Sequence, residues 1–263
     1  QKRITDGGIH YQKAESLMSG TISMPEDEFD PAVFTTSVPV GQLSLHARMY
    51  APATARAWVI IGYSGHFRRF SLPDSAFGGA GLATMHLQLD PPEQSPALLN
   101  SETTFQLTQQ LIQATRWLRS EFNAASLPIG FFGAYQDAGV ALSAAAFLGD
   151  EISAVVSFQG RPDKSMNHLA KITSPTLLLI NQADTSVFAA NVQARWWLHC
   201  VHQLSLVPGR LRLLREKSSF AMINHLAGNW YARYLLGHQP LKDFPSQLLR
   251  KPASYEWRGE LIQ

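Results

Sequence analysis

Leu127-Pro128-Ile129-Gly130-Phe131-Phe132-Gly133-Ala134-Tyr135-Gln136-Asp137-Ala138-Gly139 runs from an apolar segment through a glycine-marked turn into an Ala-rich stretch, Val140 to Phe147. The first part reads as a strand buried on both faces, because it is short and continuously apolar. The last part reads as a buried helix opening near Gln136, with Asp137 in its first turn, where an acid is favoured by the helix dipole. A strand, a tight turn and a helix in this order make a βα unit.

The neighbouring segments repeat the unit. Val33–Val40 and Gln42–Tyr50 read as strands joined at Gly41, the second with Leu43, Leu45, Ala47 and Met49 on one side. Ala57–Ile61, Leu82–Leu89, Ile152–Phe158, Thr176–Ile180 and Leu204–Val207 read as further strands. Helices are expected from Ser101, with Leu107, Leu111, Ala114, Leu118 and Phe122 on one face, from Val187 to Val201, and from about Ser218 to Leu236. Strands alternating with helices predict an α/β class chain with a mostly parallel central sheet covered on both faces. The expected organisation is an N-terminal extension over 1–30, a domain over 31–237 and a tail over 238–263.

Composition narrows the classes of function. The chain has 263 residues, 45% hydrophobic and 16% charged, enough for one substantial core. A net charge of +2 with scattered basic residues argues against a nucleic-acid partner. No apolar run reaches the roughly 18 residues of a membrane span, so no membrane is expected. Cys200 is the sole cysteine, which excludes an intrachain disulfide framework. Gln1 to Asp6 lack the apolar core of a secretory leader, and a cytoplasmic location is expected.

Several stretches carry a family resemblance. Gly133-Ala134-Tyr135-Gln136-Asp137 stands where α/β-hydrolases have the G-x-S-x-G nucleophile elbow. Ala154-Val155-Val156-Ser157 leads to Gly160-Arg161-Pro162-Asp163, Ser174-Pro175 leads into Thr176–Ile180, and Val207-Pro208-Gly209 and Trp230-Tyr231 follow in order. On these motifs the chain, from about Ala57 to Leu236, resembles the dienelactone-hydrolase-like branch of the α/β-hydrolases. The resemblance implies an α/β-hydrolase fold and a Ser-His-acid triad, and the departures fall on that triad. Tyr135 stands at the nucleophile position and Arg212 at the histidine position, while Asp184 keeps the acid. Gly62-Tyr63-Ser64-Gly65 replaces the family's His-Gly-Ser-Gly in the oxyanion loop. The triad is read as degenerate.

Each candidate residue has a bland reading beside the functional one. Tyr135 would be a phenolate nucleophile or a ring filling the old pocket. Asp184 would be a surviving acid or a structural carboxylate paired with Arg212, and Arg212 would otherwise hold an anion. Ser64, Gly65 and Gln136 would offer backbone N–H groups to an oxyanion. Asp137 would be a displaced nucleophile or a helix-start acid. His66, His86 and His225 are the histidines expected nearest the cleft, with His66 first. His199 and His202 have poor metal spacing, so no metal and no cofactor is expected. Cys200 reads as a small thiol near a helix end, and Trp196 and Trp197 as core and interface packing.

Three functions follow: a pseudo-hydrolase binding a small molecule or protein partner through Gly62, Tyr63, Ser64, Gly65, His66, Tyr135, Gln136, Asp184 and Arg212; an ester or lactone hydrolase with relocated groups; or a structural subunit of a homo-oligomer.

Overall fold

The computed structural model describes residues 32–64, 81–89, 100–122, 124–208 and 217–237. The extension over 1–30, the tail over 238–263, Gly65, His66 and Arg212 lie outside the described residues.

Among the described residues eight strands form one sheet: β1 (Ala32–Val40), β2 (Leu43–Ala51), β3 (Ala57–Ser64), β4 (Leu82–Leu89), β5 (Ile129–Ala134), β6 (Ala154–Phe158), β7 (Thr176–Asn181) and β8 (His202–Val207). Their spatial order is β1-β2-β4-β3-β5-β6-β7-β8. The β1–β2 and β2–β4 pairs are antiparallel, and every later pair is parallel. The helices are α1 (Ser101–Glu121), α2 (Asp137–Leu148), α3 (Met166–Leu169), α4 (Thr185–Ala194) and α5 (Lys217–Tyr234).

Strand alternation divides the core in two. Trp58, Ile60, Phe131, Val155 and Leu178 point to the side that buries Leu107, Leu111, Ala114 and Leu118 of α1 and the alanines of α2. Val59, Ile61, Phe132, Val156 and Leu179 point to the other side, against Ile223, Ala227, Trp230 and Tyr231 of α5. The central strands are therefore apolar at every position, which is why they read as continuous runs.

Local sequence explains the helix ends. Asn100, one residue before the expected start, caps α1 by accepting from the Thr103 N–H at 2.8 Å. The aromatic pair of the last helix anchors it to the sheet. Tyr231 is fully buried and donates to the Phe131 carbonyl at 2.9 Å, and Trp230 Nε1 donates to the Pro175 carbonyl at 3.2 Å. Gly130 makes room for that tyrosine, since a Cβ there would lie 3.0 Å from its ring.

One helix is shorter than expected. The pattern from Val187 to Val201 predicts a single helix, but α4 ends at Ala194. The Trp196 and Trp197 N–H groups bond three residues back, to Gln193 and Ala194, and this tightened turn stops the helix. The chain then turns into β8, which starts at His202 rather than Leu204. Cys200 thus lies in the connection beyond α4, with its thiol 3.8 Å from Thr176 Oγ1.

The β5–α2 turn is closely packed against backbone. A Cβ on Gly133 would come within 2.7 Å of Ala138 Cα and 2.8 Å of Ala141 Cβ and the Asp137 carbonyl oxygen. Backbone cannot swing aside as a side chain can. Gly133→Ala is therefore expected to lower unfolding stability by about 1–3 kcal/mol, measured by urea denaturation. An unchanged midpoint would show that α2 is not held against β5 by this contact.

Candidate functional site

The site is built at the carboxyl ends of β3, β5, β6 and β7. Tyr135 follows β5 directly and has φ of 53°, the left-handed region that β-carbon-bearing residues adopt only under constraint. Its N–H donates to the Phe158 carbonyl at 2.8 Å, and its own carbonyl accepts from the Ala138 N–H at 3.3 Å. The nucleophile elbow is thus preserved in backbone form with a tyrosine at its apex. The ring packs edge-on to Phe158, centroids 5.6 Å apart. Burial, and secondly the negative charge of Asp184, push the phenol pKa up to about 12. Such a phenol is neutral at physiological pH, and a neutral phenol is a poor nucleophile.

Asp137 occupies the place of the second elbow glycine, and its carboxylate is the feature that sequence reasoning underrated. It is 2% exposed. One oxygen accepts from the Ser64 backbone N–H at 3.1 Å and the other from the Ser64 hydroxyl at 2.7 Å. The Gln136 side-chain amide reaches the same hydroxyl at 3.5 Å. The Ser64 N–H, read from sequence as a donor for an oxyanion, is therefore spent on a neighbouring carboxylate. The signal was present: an acid where the motif needs a glycine, opposite a loop serine. What sequence could not supply was the distance between positions 64 and 137.

Burial raises the Asp137 pKa to about 6, and the two hydrogen bonds from Ser64 pull it back only in part. The carboxyl is mostly ionised at neutral pH, in the place where hydrolysis would develop a second negative charge.

Asp184, where the resemblance puts the acid, is the N-cap of α4 and accepts from the Val187 N–H at 3.0 Å. Around it the loops are cross-tied. Gln159, also at positive φ (52°), accepts through its side chain from the Asn181 N–H, and Asn181 Oδ1 accepts from the Ala183 N–H at 2.8 Å. Asn191 of α4 donates to the Gly160 carbonyl at 2.9 Å. Gly160 is required there, because a Cβ would collide with Ser157 Oγ and lie 2.6 Å from Ala138 Cβ. The Gly-Arg-Pro-Asp loop therefore packs on the first turn of α2.

The histidines are spread out. His86 pairs in register with Ile61, inside the sheet and short of its carboxyl edge. His225 lies on α5 beside Asn229, 3.1 Å away. His202 Nδ1 lies 3.0 Å from the Cys200 carbonyl oxygen. No group of three His, Cys, Asp or Glu with metal-binding geometry occurs among the described residues, nor does any described helix have the length and apolarity to cross a membrane. Burial pushes the Cys200 thiol up, away from thiolate chemistry. Gly62 lies against Leu89 and Leu111. A cavity of about 140 Å³ is found elsewhere, between α1, α2 and α3, lined by Phe105, Thr108, Ser143, Phe147, Ser165 and His168.

Comparison with solved structures agrees with this architecture. A dienelactone hydrolase from Anabaena variabilis superposes with a TM-score of 0.69 at 29% identity, over 78% of this chain and 99% of that one. The chain is dienelactone-hydrolase-like, with the α/β-hydrolase fold. An esterase from an Arctic intertidal metagenomic library (TM-score 0.62, 15% identity, 81% of this chain and all of that one) and Est1E from Butyrivibrio proteoclasticus (0.59, 13%, 77% and 99%) share the fold. Among curated proteins, a putative phosphoribosyl transferase of Mycobacterium tuberculosis, found in two strains, is 32% identical over 217 residues, 80% of this chain. The chain spans about half the length of those relatives, 49%. No family model matches the chain.

The Asp137 carboxyl makes stability depend on pH. Its folded value of about 6 lies above the 3.8 of the free side chain, so the folded state holds the proton more tightly. This group's contribution is full below about pH 4 and is lost as pH rises through 6, amounting to about 3 kcal/mol. Urea unfolding at pH 5 and pH 7 is expected to show the wild type more stable at pH 5 on this account. Asp137→Asn should flatten the difference, and an equal pH response in both proteins would remove Asp137 as its source.

Proposed function

We propose that the chain is a dienelactone-hydrolase-like domain that has lost Ser-His-acid hydrolysis and acts by binding a small molecule or a protein partner. The observation that carries the reading is the joint state of the elbow and the oxyanion loop. The apex residue is a neutral tyrosine, and the Ser64 N–H is bound to an ionised carboxylate. Acyl transfer needs a nucleophile with a base and backbone donors free to meet a developing oxyanion. By the family resemblance the first is replaced at Tyr135 and at Arg212. The second is occupied at Ser64.

A displaced carboxylate nucleophile at Asp137 is disfavoured on the same geometry. Both of its oxygens are engaged with Ser64, and the side chain is buried. The face at the carboxyl ends of the strands, bordered by Tyr135, Gln136, Asp184 and the end of β3 from Gly62 to Ser64, is the proposed binding face, as in other open α/β sheets. The transferase name belongs to longer relatives, of which the match covers 49%. In such proteins this hydrolase-like half would supply recognition beside an activity housed elsewhere.

Two measurements test the proposal. A fluorophosphonate probe is expected to leave the chain unlabelled, and short p-nitrophenyl esters should turn over no faster than in buffer. Labelling that survives Tyr135→Phe would reveal a nucleophile elsewhere and end the proposal. Rebuilding separates the two lesions. Tyr135→Ser with Arg212→His still leaves the Ser64 N–H occupied. Adding Asp137→Gly frees it and should raise ester turnover by roughly 10²-fold or more, the worth of one oxyanion donor. Equal rates in the double and triple variants would show that Asp137 does not block that donor.

A further inference from the structure

The β7–α4–β8 crossover at one end of the sheet exposes more apolar surface than a free chain end should. Phe188, Val192 and Trp196 recur every four residues, so they form one stripe on α4 and the turn that follows it. They are 38%, 37% and 82% exposed, on the side away from buried Ala190, Asn191 and Ala194. Trp197, Val201 and Leu206 of the same crossover are 47%, 58% and 42% exposed. The exposed parts of these six side chains come to roughly 600 Å², taking about 250 Å² for a whole tryptophan. Monomers rarely expose a contiguous apolar patch beyond a few hundred Å².

Two further features point the same way. From Thr185 to Val207 the sole charged residue is Arg195, although 16% of the chain is charged. Loss of charge with retention of aromatics is the composition of an interface centre. In addition, β8 is an edge strand among the described residues, and its sequence, His-Gln-Leu-Ser-Leu-Val, has none of the lysines or prolines that keep edges from pairing. The opposite edge, β1, carries Pro39 within the strand.

We propose that this crossover is the contact face of a two-fold homodimer, the α4 stripe and β8 edge of one copy meeting those of a second. A second copy fits for three reasons. Antiparallel pairing of an unguarded edge with itself satisfies both rows of backbone groups by one symmetry operation. The near absence of charge supplies no pattern that would select a different, charged partner. The exposed apolar area, roughly 600 Å², makes up most of the roughly 800 Å² per partner of a stable interface. This inference does not depend on whether the elbow is active.

The test is sedimentation velocity of the full chain over a range of concentrations. A dimer with a micromolar or tighter Kd is expected. Trp196→Glu should weaken it by roughly 30-fold, the effect of losing an interface hot spot. Trp196 is largely exposed, so its far-UV circular dichroism should not change. Phe105→Glu, on the exposed side of α1, should leave the dimer intact. If Trp196→Glu unfolds the chain, Val201→Lys serves as the second variant. A chain that stays monomeric throughout overturns the proposal, whether the stripe is then covered by another protein or by its own remaining residues. A dimer indifferent to both Trp196→Glu and Val201→Lys overturns it equally.

Discussion

The close approach of α2 to the ends of β5 and β6 sets the geometry of the rest. Gly133 and Gly160 both lack a Cβ where Ala138 comes closest, so the helix seats on two strands at once. That seat fixes the sharp reversal after Ala134 and forces Tyr135 into the left-handed region. A strained residue of this kind costs on the order of 1–3 kcal/mol and persists only where its surroundings over-determine it. The strain here follows from packing, not from chemistry at the apex. It would be retained whatever side chain stood at position 135.

The same seat explains how an acid can stand where the elbow usually has its second glycine. Asp137 is the first residue of α2, and at that point the helix brings its side chain under the end of β3. The N-terminal position favours negative charge, and the Ser64 N–H and hydroxyl both point at it. These terms offset part of the burial penalty, which is why the pKa settles near 6 rather than higher. The result is a cross-link between the elbow and the oxyanion loop. It ties the end of β3 to the start of α2, at a cost in stability at neutral pH that the Ser64 hydrogen bonds reduce but do not cancel.

The fold was largely legible because burial on both faces writes itself as uninterrupted apolar runs, and the helices between them as 3.6-residue patterns. α1 and α2 fell where their patterns put them. The end of α4 did not. The aromatic pair Trp196-Trp197 continues the helical spacing in sequence, but it sits in a turn whose i→i+3 bonds no periodicity reveals. The site was legible by position and opaque in its contacts. Tyr135 follows β5 and Asp184 follows β7, at the ends of the strands that their sequence runs predict. The Asp137–Ser64 link joins residues 73 apart in sequence, and its meaning depends on which way one side chain turns inside a helix start.

On the proposed reading, in which Asp184 holds the acid position, its cap on α4 gives that carboxylate a structural duty of its own. In the hydrolase arrangement an acid here orients a histidine. In this chain it also caps α4, through the Val187 N–H, and the loop before it is tied to β6 by Gln159 and Asn181. Removing an N-cap costs about 1 kcal/mol, a penalty that applies whether or not a histidine stands opposite. No comparable structural duty protects a serine hydroxyl at an elbow, because the backbone there is held by Gly133 and Ala138. On that reading a substitution at position 135 meets little structural resistance, whereas one at 184 removes the cap of α4.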